Sequence, residues 1–183
     1  MTELIPDLQY QSDFLTPEEE QSLVTILDNQ PWLTDLRRRV QHYGYKYDYR
    51  KRAIDSSMKL GPLPEFFQPV LAKIQATHAF SPNQIIVNEY LPGQGISPHV
   101  DCVPCFGPII MSLSLLAPCT MEFTLGSQKK EQWLEPRSLL TLQKIARYDW
   151  KHSIPARLAD PRGEEYVERQ RRLSLTFRTV IEE

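Results

Sequence analysis

His99 and Asp101 stand two residues apart at the end of NEYLPGQGISPHVD, directly after a Pro/Gly-rich turn. Imidazole and carboxylate together suit a transition metal, and at spacing i, i+2 on extended backbone they point to one face. Two ligands do not complete a site, and the chain has only four histidines from which to draw a third. His152 closes the run IARYDWKHSIP, read as a strand whose alternation places Tyr148, Trp150 and His152 on one face. With it the set becomes two histidines and one carboxylate, which leaves coordination positions open and favours non-haem Fe(II). The alternative for His152 is a structural residue at a strand end. His78, at the end of an expected helix, is read as a helix-terminal histidine.

Near the C-terminus, period-2 alternation in RRLSLTFR turns Leu173, Leu175 and Phe177 to one side and Arg172, Ser174, Thr176 and Arg178 to the other. Two arginines on an inward face are costly unless an anion meets them, and the guanidinium fork fits a carboxylate. A dicarboxylate held at one or both ends explains the spacing; a solvated face would leave the arginines merely exposed. Asn88 and Tyr90 share a face of their own strand and are positioned to hydrogen-bond the same anion.

A third group lies upstream. RRRVQHYGYKYDYRKR, residues 37–52, holds seven Lys/Arg and four Tyr in sixteen residues. Such interleaving suits phosphate contact with base stacking, and equally a solvated strand pair whose Tyr rings cover the core edge.

The elements that must carry these groups follow from pattern. FLTPEEEQSLVTILDN reads as a helix with Thr16 as N-cap, Pro17 at the first position and Glu19 completing a capping box. A second helix is expected from about Pro64 to His78, with Pro69 kinking or restarting it. From residue 84 the chain switches to strands: QIIVNEY, IIMSLSLL, CTMEFT, SLLTL, IARYDWKH and RRLSLTFRTV, punctuated by Gly/Pro turns. Helices first and strands after predict an α+β domain with a jelly-roll or barrel core. Residues 157–170 read as a long surface loop.

The totals set bounds. A length of 183 residues suits one domain. No apolar run approaches a membrane span, and MTELIPDLQY lacks the pattern of a signal peptide, so a cytoplasmic protein with no membrane partner is expected. Net charge is -2, which makes no whole-chain case for nucleic acid, so any such case is local. Cys102, Cys105 and Cys119 are too few for a secreted disulfide framework, and without a fourth ligand they do not make a structural zinc site. They are read as buried or incidental thiols.

Asn-X-Tyr, a Gly-rich turn, His-X-Asp, a gap of some fifty residues, His, then Arg-X5-Arg on a final strand resembles the signature of the AlkB family of Fe(II)/2-oxoglutarate dioxygenases. The likeness runs from about Arg37 to Val180. HYGY, SPHVD, SLSLL, PRSLL and RYDWKHSIP are similar to the oxygenase module of the tRNA wobble-uridine AlkB homologues and to short bacterial AlkB-like proteins. The resemblance implies a double-stranded β-helix (jelly-roll) core at about 83–183, with N-terminal helices packed outside it. An N-terminal extension and nucleotide-recognition lid would occupy about 1–82 of a single 1–183 oxygenase domain. It implies iron held by His99, Asp101 and His152, which are thereby the catalytic centre. Arg172 would take the distal carboxylate of 2-oxoglutarate with Asn88 and Tyr90, and Arg178 would sit by the chelating carboxylate. O2 is the further co-substrate, and an N-methyl group once hydroxylated would release formaldehyde. Arg37, Arg38, Arg39, Tyr43 and Tyr45 fall in the substrate-recognition segment, and His99 is a further candidate contact to the base. The expected partner is single-stranded DNA or RNA, tRNA included, and the expected state a monomer. The alternatives are the same cofactor chemistry on a protein side chain, or a nucleic-acid-binding module that has lost turnover. In one place the chain departs from DNA-repairing relatives: where some carry an acidic residue after the His-X-Asp pair, it has Cys102, Val103, Pro104 and Cys105.

Overall fold

The computed structural model describes residues 5–182. The first four residues of the stretch searched for a targeting signal lie outside that range. Along the described chain run the strands β1 (Leu8–Gln11), β2 (Val40–Tyr43), β3 (Gln84–Tyr90), β4 (Ile96–His99), β5 (Ile110–Leu115) and β6 (Cys119–Leu125). They are followed by β7 (Gln128–Leu134), β8 (Leu139–Leu142), β9 (Lys151–Ile154), β10 (Ala159–Arg162), β11 (Glu165–Glu168) and β12 (Arg172–Arg178). Three α-helices accompany them: α1 (Pro17–Asp28), α2 (Gln68–Thr77) and α3 (Lys144–Tyr148).

Two antiparallel sheets make the jelly roll. The larger has the order β1-β8-β5-β12-β3-β2 and the smaller β4-β9-β6-β7, while β10 and β11 form a separate hairpin. β12 sits centrally, paired with β3 on one side and β5 on the other. Its alternation sorts two environments. Leu173, Leu175 and Phe177 join Leu23, Val24 and Leu27 of α1 and Val70, Leu71 and Ile74 of α2 in one buried cluster. The opposite face of the large sheet, with Ile86, Tyr90, Leu140 and Leu142, meets Cys119, Met121, Phe123 and Ile154 of the small sheet in a second. The helices therefore back the large sheet, and the space between the sheets is left for the polar residues.

Local chemistry accounts for the boundaries. Thr16 accepts from the Glu19 backbone N–H while the Glu19 carboxylate accepts from the Thr16 N–H, so the capping box forms as expected. The second helix divides between Phe67 and Gln68, with a 3-10 turn at Glu65–Phe67 ahead of α2 and Pro69 in the first turn of α2. At Gly95 a side-chain carbon would lie 2.1 Å from the Ile154 carbonyl oxygen, so glycine there lets β4 close on β9.

Three readings are corrected. IARYDWKH is not one strand: Lys144–Tyr148 is helical, and β9 begins only at Lys151. The expected loop at residues 157–170 contains the β10–β11 hairpin, pinned where Asp160 binds both Arg157 and Arg169. Unlike the expected free thiols, Cys102 and Cys105 are joined in a disulfide, because the turn after Asp101 brings their Cα atoms within 5.3 Å. Cys119 is the buried free thiol. No helix among the described residues is long and apolar enough to cross a membrane.

Candidate active site

A cavity of about 370 Å³ opens between the sheets, and the His-X-Asp pair lies in its floor. β4 and β9 pair so that His99 and His152 are direct cross-strand partners, with ring centroids 4.3 Å apart. Asp101, just past the end of β4, brings its Oδ1 to 3.4 Å from His99 Nε2 and 3.3 Å from His152 Nε2. One ligand atom from each residue falls within 4.8 Å of the others.

This donor set suits a cation. Nδ1 of His99 lies 2.7 Å from the Ser97 carbonyl oxygen, which can only accept, so Nδ1 carries a proton and Nε2 is the nitrogen turned toward the carboxylate. Burial keeps His152 below the usual imidazole range despite the opposing pull of Asp101, favouring the neutral form a metal needs. Burial alone would raise Asp101. Its hydrogen bonds with His152 and His99 and the charge of Arg178 outweigh that and hold it well below the carboxylate range. Two imidazoles and one anionic oxygen with open positions fit Fe(II).

Arg178 fixes the carboxylate from behind: its Nη1 donates to Asp101 Oδ2 at 3.0 Å and its Nε to Gln84 Oε1 at 3.0 Å. Arg172 differs. It is 2% exposed, donates from Nη2 to Ser114 Oγ, and keeps Nε and Nη1 buried without an acceptor. A buried guanidinium with two orphaned N–H groups calls for an anion, and its planar fork fits a carboxylate. Tyr90 pairs in register with Arg172 and lies under it, 5.5 Å from ring centre to guanidinium carbon; burial raises its pKa, so the hydroxyl remains a donor. Asn88 lines the cavity and accepts from Arg38 Nε at 3.0 Å.

The expected substrate residues scatter. Arg38 reaches the cavity, between the rings of Tyr49 and Tyr90. Arg39 turns away to a bidentate bond with the buried Glu89 and stacks on Trp32. Arg37 is exposed, and its carbonyl accepts from Gln94. Tyr43 packs edge-on against Phe66 and Phe67 and bonds Gln41, while Tyr45 is buried with its hydroxyl on Glu182. In their place Tyr47, Tyr49 and Arg52 line the cavity. All four tyrosines share one alternation, so periodicity alone does not separate them. Gly44, with φ +81° against the Asn83 carbonyl, ends the strand directly after Tyr43 and redirects the chain that carries the other three.

Comparison with known proteins gives consistent matches. The model of the 2OG-Fe(II) oxygenase superfamily matches residues 24–178. An alkylated DNA repair protein ALKBH8 homolog of Arabidopsis thaliana is 38% identical over 96% of this chain, which spans only 59% of that relative's length. The mitochondrial alpha-ketoglutarate-dependent dioxygenase alkB homolog 7 of Mus musculus is 36% identical, covering 92% of this chain and 76% of its own. The solved structure of OsALKBH1 superimposes with a TM-score of 0.73 at 18% identity, over 97% of this chain and 98% of that one, a likeness of fold.

Proposed function

The chain belongs to the AlkB family of Fe(II)/2-oxoglutarate-dependent dioxygenases within the 2OG-Fe(II) oxygenase superfamily, and on that premise we propose that it oxidatively demethylates or hydroxylates a base in single-stranded DNA or RNA, tRNA included. Fe(II) and 2-oxoglutarate, when bound, supply the activation of O2, coupled to oxidative decarboxylation of the co-substrate to succinate. His99, Asp101 and His152 would hold the metal. Arg172, with Tyr90 and Asn88 beside it, would hold the anion.

The observation that carries the substrate reading is the stretch of cavity wall where Arg38, Tyr47, Tyr49 and Arg52 line the same space as the histidines. Flat rings between cations suit a base extruded from its strand, with phosphates left at the rim. Arg50 and Lys51 extend this charge outward on an exposed turn whose backbone N–H groups both donate to Asp48. The name of the Arabidopsis relative points to nucleic acid as well. The chain's task is to orient the base toward the metal and to exclude water from the oxidant.

The test is mass spectrometry of methylated DNA and RNA oligonucleotides and bulk tRNA after incubation with enzyme, Fe(II) and 2-oxoglutarate. Loss of a methyl group or gain of one oxygen is expected in one of them. Succinate production on a peptide panel, with every nucleic acid unchanged, would move the reading to a protein side chain.

A further inference from the structure

Arg147 is the largest fully buried side chain, 2% exposed, on the five-residue helix α3. Among the described residues none of its guanidinium bonds goes to a carboxylate. Instead Nη1 donates to the Asp101 carbonyl at 2.8 Å, Nη2 to those of Cys102 and Phe106 at 3.3 and 3.4 Å, and Nε to that of Gly107 at 3.4 Å. These four acceptors belong to the irregular loop joining β4 to β5. Such a loop, folded inward, leaves carbonyls outside the strand ladders; that of Cys102 also accepts from the Phe106 N–H at 3.2 Å, and a buried carbonyl left unpaired is costly. A planar fork with five donors answers several at once; a lysine has neither the reach nor the fixed geometry.

Position gives this bond set its meaning. Asp101 opens the loop, and Arg147 precedes His152 by five residues, so one guanidinium clips the segment bearing the carboxylate to the segment bearing the second histidine. The carboxylate end of Asp101 is held separately by Arg178. Asp101 is thus fixed at its main chain by one arginine and at its side chain by another.

We propose that Arg147 is a positioning residue for the metal centre, setting where Asp101 stands relative to His152 by binding the carbonyls of residues 101, 102, 106 and 107. The inference rests on the reading of His99, Asp101 and His152 as metal ligands. Outer partners of this kind change metal affinity by about 10- to 100-fold when removed.

Co(II) serves as the probe, since its visible bands report coordination without turnover. The full chain would be titrated anaerobically as wild type, Arg147→Lys, Arg147→Ala and, as a control for losing a partly buried arginine elsewhere, Arg171→Lys. Expected are a loss of Co(II) affinity of about tenfold or more in both Arg147 variants, altered bands in Arg147→Lys, and partial recovery of Arg147→Ala by millimolar guanidinium, with Arg171→Lys binding as wild type. Wild type that binds no Co(II) would overturn the metal reading and the proposal with it. Wild type that binds, with folded Arg147→Lys matching it in affinity and spectrum, would overturn the proposal alone. Should Arg147→Ala fail to fold, Arg147→Lys decides.

Discussion

The metal-binding floor of the cavity and the wall that holds Arg38, Tyr47, Tyr49 and Arg52 are built by opposite means. The floor stands on β3, β4, β9 and β12, where His99 and His152 are in register across two strands and Arg172 and Tyr90 across two others. The wall stands on Arg38 and on residues 44–55, where irregular backbone is held by isolated bridges such as Tyr45 to Lys59 and Asp48 to Ala53 and by single side-chain bonds. Two sheets hold the floor residues in register, while the wall residues ride on a segment outside the strand ladders, where loops vary without disturbing the sheets.

That contrast can be broken or sharpened, beginning with the largest effect. Asp101→Ala should reduce turnover to background and, by stranding the buried Arg178, cost about 3 kcal/mol of stability in urea unfolding. A variant that still turns over would remove the floor from the chemistry. Arg172→Ala should raise the 2-oxoglutarate requirement by roughly 30-fold or more, the cost of truncating a buried charged partner, with binding of nucleic acid unchanged. His42 offers a test of the junction between the two regions. Burial first, then the charges of Lys46 and Arg178, lower its pKa to about 4, so it stays neutral in the fold. In the unfolded chain it takes a proton near 6.5, hence stability is full above that pH and declines as pH falls toward 4. Between pH 7 and pH 5 the loss should be about 2 kcal/mol, and His42→Gln should flatten this part of the urea-midpoint profile. Tyr49→Ala should raise KM for an oligonucleotide about tenfold through lost stacking, whereas Tyr43→Ala should lower stability and leave KM alone; the reverse pattern would reinstate the first pair of tyrosines. Smallest is the salt response: neutralising Arg50 and Lys51 should flatten the slope of log affinity against log salt by about 1 per charge.

How much of this was legible follows the same division. Strict alternation in RRLSLTFR sorted β12 correctly, because a strand buried on two unlike faces writes its period into its composition. The helix α1 declared itself through its cap. Short polar strands did not: QKKEQWL pairs with β6 as β7 with a single buried residue, and ISPH carries a proline, so neither has the apolar content that marks a strand. Lys144–Tyr148 deceived for the converse reason, its Ile, Ala and Tyr suiting strand or helix until Arg147 is seen to need the loop carbonyls. The tyrosine pairs were indistinguishable because what separates them, the contacts of Tyr43 with Phe67 and of Tyr45 with Glu182, is tertiary.

The adjacent arginines 171 and 172 show how this chain guards its folding against error. Arg172 points between the sheets; Arg171 points the other way, where it grips Glu89 and reaches Asp28 on α1. A misalignment of β12 by a single residue would exchange the two faces, driving leucines into the cavity and the cationic residues under the helices. Glu89, clasped by Arg39 and Arg171 together, would lose one of those partners in the slipped strand. The outward ion-pair network therefore acts as a registration mark, admitting only the alignment in which the other arginine points between the sheets.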